Sequence, residues 1–169
     1  HIKQCKTTLK QLLTTAEESQ STKLEAQPVQ DYFDNVLARW QLMRPLLQTR
    51  IQFTDSSAVS AVFHPTIAQS ILNLLNNAAD ASERVNIDLS WNTEMATISI
   101  RDFGAGLDTD KMKMLGQPFV TDKADGLGLG LFLSQATLTR FGGTVSLQNA
   151  PEGGTLTQIS LPLVTADVS

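Results

Sequence analysis

Apolar residues along the chain change their spacing several times, and each change marks an element. Ile2, Cys5, Leu9, Leu12 and Ala16 recur at alternating steps of three and four, the seam of a helix that packs on a partner helix. From Glu17 to Gln27 the chain is polar and rich in Ser, Thr and Gln, and Pro28 follows. The chain therefore divides into a helical stretch at 1–19, a linker at 20–28 and a domain at 29–169. In that domain Tyr32, Val36, Leu37, Trp40 and Met43 share one helical face, in a helix that should end near Pro45. Arg50 to Thr54 reads as a strand, and Pro65 to Ser82 as a helix burying Ile67, Ile71, Leu74, Leu75 and Ala78. Val85, Ile87, Leu89 and Trp91 alternate, Asn92 to Glu94 turn, and Ala96, Ile98 and Ile100 alternate again, which predicts a hairpin. Leu127 to Phe141 predicts another long helix, and Thr144 to Gln148 and Thr155 to Leu163 the closing strands. The sum is a two-layer α/β sandwich, with a mixed, mostly antiparallel sheet covered by helices on one face.

Composition narrows this picture. The 169 residues suit one domain with an appendage, and 41% apolar content supports a core. Thirteen basic against 17 acidic residues give a net charge of −4, with no Lys/Arg run and no interleaved aromatics, which argues against nucleic acid as a partner. No stretch approaches the roughly 20 apolar residues of a membrane span, so the chain reads as a soluble, cytoplasmic domain. A single cysteine excludes an internal disulfide framework and fits a reducing compartment.

The chemistry lies in glycine clusters and a pair of amides. Asn73 and Asn77 stand four apart on one helical face, where their oxygens can point at a hard cation such as magnesium. Asp102 leads into Gly104 and Gly106, offering a carboxylate to an exocyclic amine beside backbone that can lie against a flat ring. Gly126, Gly128 and Gly130 open an apolar helix, whose first N–H groups suit phosphate oxygens. Gly153 and Gly154 precede Thr155. Together these specify a site for Mg-ATP.

In this order the motifs resemble the catalytic ATP-binding domain of sensor histidine kinases, within the group that includes gyrase, Hsp90 and mismatch-repair ATPases. The match runs from about Val29 to Leu163: an N box from Gln69 to Asp80, a first glycine box at Asp102 to Gly106, a phenylalanine box at Pro118 to Lys123, and a second glycine box at Gly126 to Gly130. The resemblance implies that the first stretch is the end of the second helix of a dimerisation hairpin, whose phosphoacceptor histidine lies on its first helix. It implies a homodimeric parent and a response regulator as partner, and leaves open whether the parent is anchored in the inner membrane. Neither His1 nor His64 matches the acceptor motif, and His64 before Pro65 reads as a cap or loop residue.

By the same resemblance Asn77 is the magnesium ligand and Asn73 a second contact to the metal-phosphate group. Asp102 accepts from the adenine amino group, with Thr155 completing a water-linked contact, and Gly104 and Gly106 admit the base. Gly126, Gly128 and Gly130 line the phosphates with the N–H groups of Leu129 and Leu131. In a lid between Gly116 and Gly126, which Phe119 anchors, Lys123 is either the cation that reaches the terminal phosphate and offsets charge developing during transfer or an ordinary solvated lysine, and Thr121 is a further phosphate contact. Two departures stand out. Asn73 occupies the place of the glutamate that activates water in hydrolytic relatives, so hydrolysis should be slow. Asp80 stands where many histidine kinases carry a basic residue, which removes one phosphate contact. Cys5 on the seam reads either as a small buried hydrophobe or as a redox-active thiol, as in the Reg/Prr-type kinases that the short lid also resembles. A hydrolysing relative, an anti-sigma-type serine kinase and a degenerate regulator-binding module remain the alternatives.

Overall fold

The computed structural model describes residues 24–106 and 127–165. In chain order its elements are β1 (Gln27–Pro28), α1 (Val29–Met43), β2 (Gln48–Ser56), β3 (Ser60–Val62), α2 (Pro65–Ala81), β4 (Arg84–Trp91), β5 (Met95–Asp102), α3 (Leu127–Arg140), β6 (Thr144–Asn149), β7 (Thr155–Pro162) and β8 (Val164–Thr165). Five strands form one sheet in the order β2-β4-β5-β7-β6. The β2–β4 pair is parallel, as a crossover through α2 requires, and the other pairs are antiparallel.

Alternation along the central strands decides which face is buried. Val85, Ile87, Leu89 and Trp91 of β4 and Ala96, Ile98 and Ile100 of β5 are buried, and their side chains join Ile67, Ile71, Leu74, Leu75 and Ala78 of α2 in one core. Ile159 and Leu161 of β7, Leu131 and Leu138 of α3 and Trp40 of α1 complete it. The intervening sheet residues, Asn86, Asp88, Ser99 and Arg101 among them, remain polar and at least partly exposed. The predicted sandwich is therefore the fold observed.

Around Trp91 the core is aromatic. Tyr32 stacks on Phe63 with centroids 3.7 Å apart and planes 5° from parallel, Phe33 lies 5.5 Å from Trp91, and the Trp91 indole N–H donates to Ser57 O at 2.8 Å. Burial pushes the Tyr32 phenol up, against a smaller opposing effect of Arg39, and its hydroxyl has no hydrogen-bond partner among the described residues.

Three short strands depart from the sequence reading. Gln27 and Pro28, assigned there to the linker, pair with Ala61 and Ser60, and β3 pairs in turn with β8. The strand expected at Arg50 to Thr54 extends from Gln48 to Ser56, with a bulge between Phe53 and Asp55. Among the described residues no helix is long and apolar enough to cross a membrane.

Candidate functional site

Helix α2 is built to start sharply. Pro65 occupies its first turn, and His64, the N-cap, accepts from Thr66 N at 3.3 Å through Nδ1. His64 is thus a capping residue, as its sequence context predicts. The apolar side of α2 faces the core, which leaves Gln69, Asn73, Asn76, Asn77 and Asp80 along the other side. Gln69 Nε2 donates to Asn73 Oδ1 at 3.1 Å. That bond uses one lone pair of the Asn73 oxygen, and no described residue bonds its NH₂ group. Asn77 is half-buried and has no protein hydrogen-bond partner among the described residues, so its amide oxygen is available to a hard cation.

Asp102 ends β5, and although a carboxylate it is only 4% exposed. Its Oδ1 accepts from Gly104 N at 3.0 Å and from Thr155 N at 3.1 Å. Two backbone donors on different segments therefore hold this carboxylate in one orientation, and no described residue bonds Oδ2. Gly154 brings the β7 side this close: with φ +84°, its missing Cβ would lie 2.0 Å from Asp102 O. Thr155, whose N–H makes one of these bonds, is 7% exposed.

The glycines of the first box answer to the protein's own packing. A Cβ on Gly104 would stand 2.4 Å from Ala81 O at the end of α2, and Gly106, with φ +86°, packs against Asn149. Sequence reasoning explained both by the approach of a base; the structure shows that Gly104 first admits the α2 terminus. Phe103, between Asp102 and Gly104, has Arg84 3.8 Å and Arg101 4.7 Å from its ring centroid.

Gly128, Leu129 and Gly130 lie in the first turn of α3, where an α-helix leaves its first four N–H groups without internal partners. Leu131 is the fifth helical residue, and its side chain is 2% exposed in the core. Its N–H falls to the helix's own ladder. Cys5, Phe119, Thr121, Lys123 and Gly126 lie outside the described residues.

Arg44 has no place in the sequence reading, yet it joins the site's helix. Its Nη2 bonds Asp80 Oδ1 at 2.7 Å and its Nε bonds Asn76 Oδ1 at 3.2 Å. An open cleft of about 710 Å³ lies beside this pair, between residues 43–48 and 79–83; Asn73, Asn77 and Asp102 do not line it. The Gln69–Asn73 bond could have been inferred from the four-residue spacing, whereas nothing local links Arg44 to a residue 36 positions on.

A one-sided α/β sandwich with an amide-bearing helix beside a buried, backbone-anchored aspartate defines a nucleotide-binding ATPase domain. The chain belongs to the family described as Histidine kinase-, DNA gyrase B-, and HSP90-like ATPase, whose model matches residues 64–165. Its relatives by sequence are sensor kinases. The sensor protein DegM of Bacillus sp. (strain B21-2) is 30% identical over 129 residues, covering 72% of this chain and 35% of that protein. The signal transduction histidine-protein kinase AtoS of Escherichia coli (strain K12) is 36% identical over 101 residues, covering 57% and 17%. Full-length ShkA, solved in complex with AMPPNP, shares the fold with a TM-score of 0.68 at 23% identity, over 85% of this chain and 32% of that one. The chain spans about a third or less of the length of the curated relatives it matches.

Proposed function

We propose that this chain is the catalytic domain of a two-component sensor kinase, which binds Mg-ATP and positions its γ-phosphoryl for transfer to a histidine on the parent's dimerisation hairpin, for relay to a response-regulator aspartate. The observation that carries this is the Asp102 carboxylate, buried and held through Oδ1 by two backbone N–H groups while no described residue bonds Oδ2. An acceptor so fixed fits the adenine amino group, and the AMPPNP complex of ShkA supports the reading.

The remaining roles follow from placement. Asn77 would hold the magnesium through its amide oxygen, and that ion would offset phosphate charge. Asn73, whose oxygen already accepts from Gln69, would donate through its NH₂ group to a phosphate oxygen or a metal-bound water. Gly128, Leu129 and Gly130 would present open N–H groups at the start of α3, joined by Gly126, Thr121 and Lys123. In transfer, the histidine nitrogen forms the new bond to the γ-phosphorus, the bond to the β-bridging oxygen breaks, and ADP leaves. The imidazole proton passes to a base beside the acceptor. The domain's part is alignment and charge stabilisation. An amide at Asn73 cannot take a proton from water, which favours transfer over hydrolysis.

The test is to supply a dimerisation hairpin bearing an acceptor histidine together with γ-labelled ATP. Acid-labile label on the hairpin, reduced at limiting ATP with Asp102→Asn, is the expected result. Rapid phosphate release with an unlabelled hairpin would instead indicate a hydrolase.

A further inference from the structure

The inference starts from Asp80 and rests on the nucleotide reading above. At 100° per residue, Gln69, Asn73, Asn76, Asn77 and Asp80 fall within about 100° of arc on α2, and Asp80 lies about 4.5 Å along the axis from Asn77. A bare carboxylate there would face the same approaching anion that Asn73 and Asn77 are placed to meet. The structure neutralises it: Arg44 reaches across from the turn after α1 to bond Asp80 at 2.7 Å and Asn76 at 3.2 Å.

Arg44 is also rigidly rooted. Its N–H bonds Trp40 O at 3.1 Å and Gln41 O at 3.2 Å, its carbonyl accepts from Leu47 N at 3.2 Å, and Pro45 restricts its backbone. Trp40, one turn earlier, is fully buried. A guanidinium carries five N–H donors in a fixed fork, and the two bonds to α2 leave three unused by the described residues. Its side chain remains 33% exposed.

We propose that Arg44 is the phosphate-facing cation of this site: Asp80 and Asn76 hold its guanidinium beside the Asn73–Asn77 face, so that a side chain from the α1–β2 turn supplies the charge that α2 itself lacks. Asp80 is then a positioning residue. The alternative is a staple that only ties α1 to α2.

The experiment measures Mg-ATP and AMP binding by calorimetry, with melting temperature, for wild type, Arg44→Ala, Arg44→Lys, and Arg44→Ala combined with Asp80→Lys. A phosphate-facing cation predicts that Arg44→Ala weakens Mg-ATP by about tenfold and AMP by less than about twofold, because a charge-assisted contact to the outer phosphates is lost. Arg44→Lys should recover part of the loss, and Asp80→Lys in the Arg44→Ala background should recover most of it by placing the cation on the helix. Equal weakening of both ligands by Arg44→Ala, or no recovery with Asp80→Lys, would overturn the inference and leave the staple. A wild type that binds neither ligand would remove the nucleotide reading itself, a result distinct from either.

Discussion

Gly154 is the residue at which backbone geometry and the nucleotide site meet. Its φ of +84° disfavours any side chain, and a Cβ would fall 2.0 Å from Asp102 O. Gly154→Ala should therefore destabilise the domain by about 3 kcal/mol or more in chemical denaturation, because neither β5 nor β7 can yield without breaking sheet pairing. Unchanged stability would show that the β5 to β7 approach is looser than described. Asp102→Asn is nearly isosteric and acts differently, removing the charge while keeping an oxygen for Gly104 N and Thr155 N. Both residues stood out in the sequence, because an aspartate ahead of Gly-x-Gly and a Gly-Gly-Thr are local patterns. What the sequence hid was the partner of each group: that Gly104 makes room for Ala81 O, and that Asp80 is answered by Arg44. Those contacts depend on segments 20 or more residues apart, which no spacing rule reaches.

Among elements, α1 is fastened to the rest by an aromatic cluster whose polar atoms are not all satisfied. Tyr32 is stacked on Phe63, and no described residue bonds its hydroxyl. Burial raises its folded-state pKa above the ordinary value of 10.0, so the associated stability is full below that value and is lost as pH rises beyond it. Unfolding free energies measured between pH 8 and about pH 11 should fall more steeply for wild type than for Tyr32→Phe, which has no proton to lose. Near neutral pH the variant should be as stable as wild type or slightly more so, since it removes a buried hydroxyl without a partner. Parallel pH profiles for the two proteins would contradict this account of α1. The long elements were legible because their periods persist: α2 carries apolar residues over several turns, and the β4–β5 hairpin alternates on both sides of Asn92 to Glu94. Two- and three-residue strands such as β1, β3 and β8 carry no period to read, and Gln27 and Pro28 looked like linker because their pairing partner lies more than 30 residues away.

For the molecule as a whole, the layers put a buried carboxylate at the end of a central strand and an amide-bearing helix beside it, and the family match over residues 64–165 places that arrangement among ATPase domains of the histidine kinase, gyrase B and HSP90 type. The division of labour proposed here is that this unit holds and aligns the phosphoryl donor while the acceptor is carried elsewhere. Incubated alone with labelled Mg-ATP, the chain should accumulate no acid-labile phosphate; label on His64 would contradict its assignment as the N-cap of α2. The central claim is tested most directly by calorimetric titration of Mg-ATP into wild type and Asp102→Asn. The account predicts saturable one-to-one binding to wild type, weakened by roughly tenfold or more in the variant through loss of a charge-assisted hydrogen bond. Equal affinity for the two proteins would contradict Asp102 as the adenine acceptor, and absence of binding to wild type would contradict the nucleotide site itself.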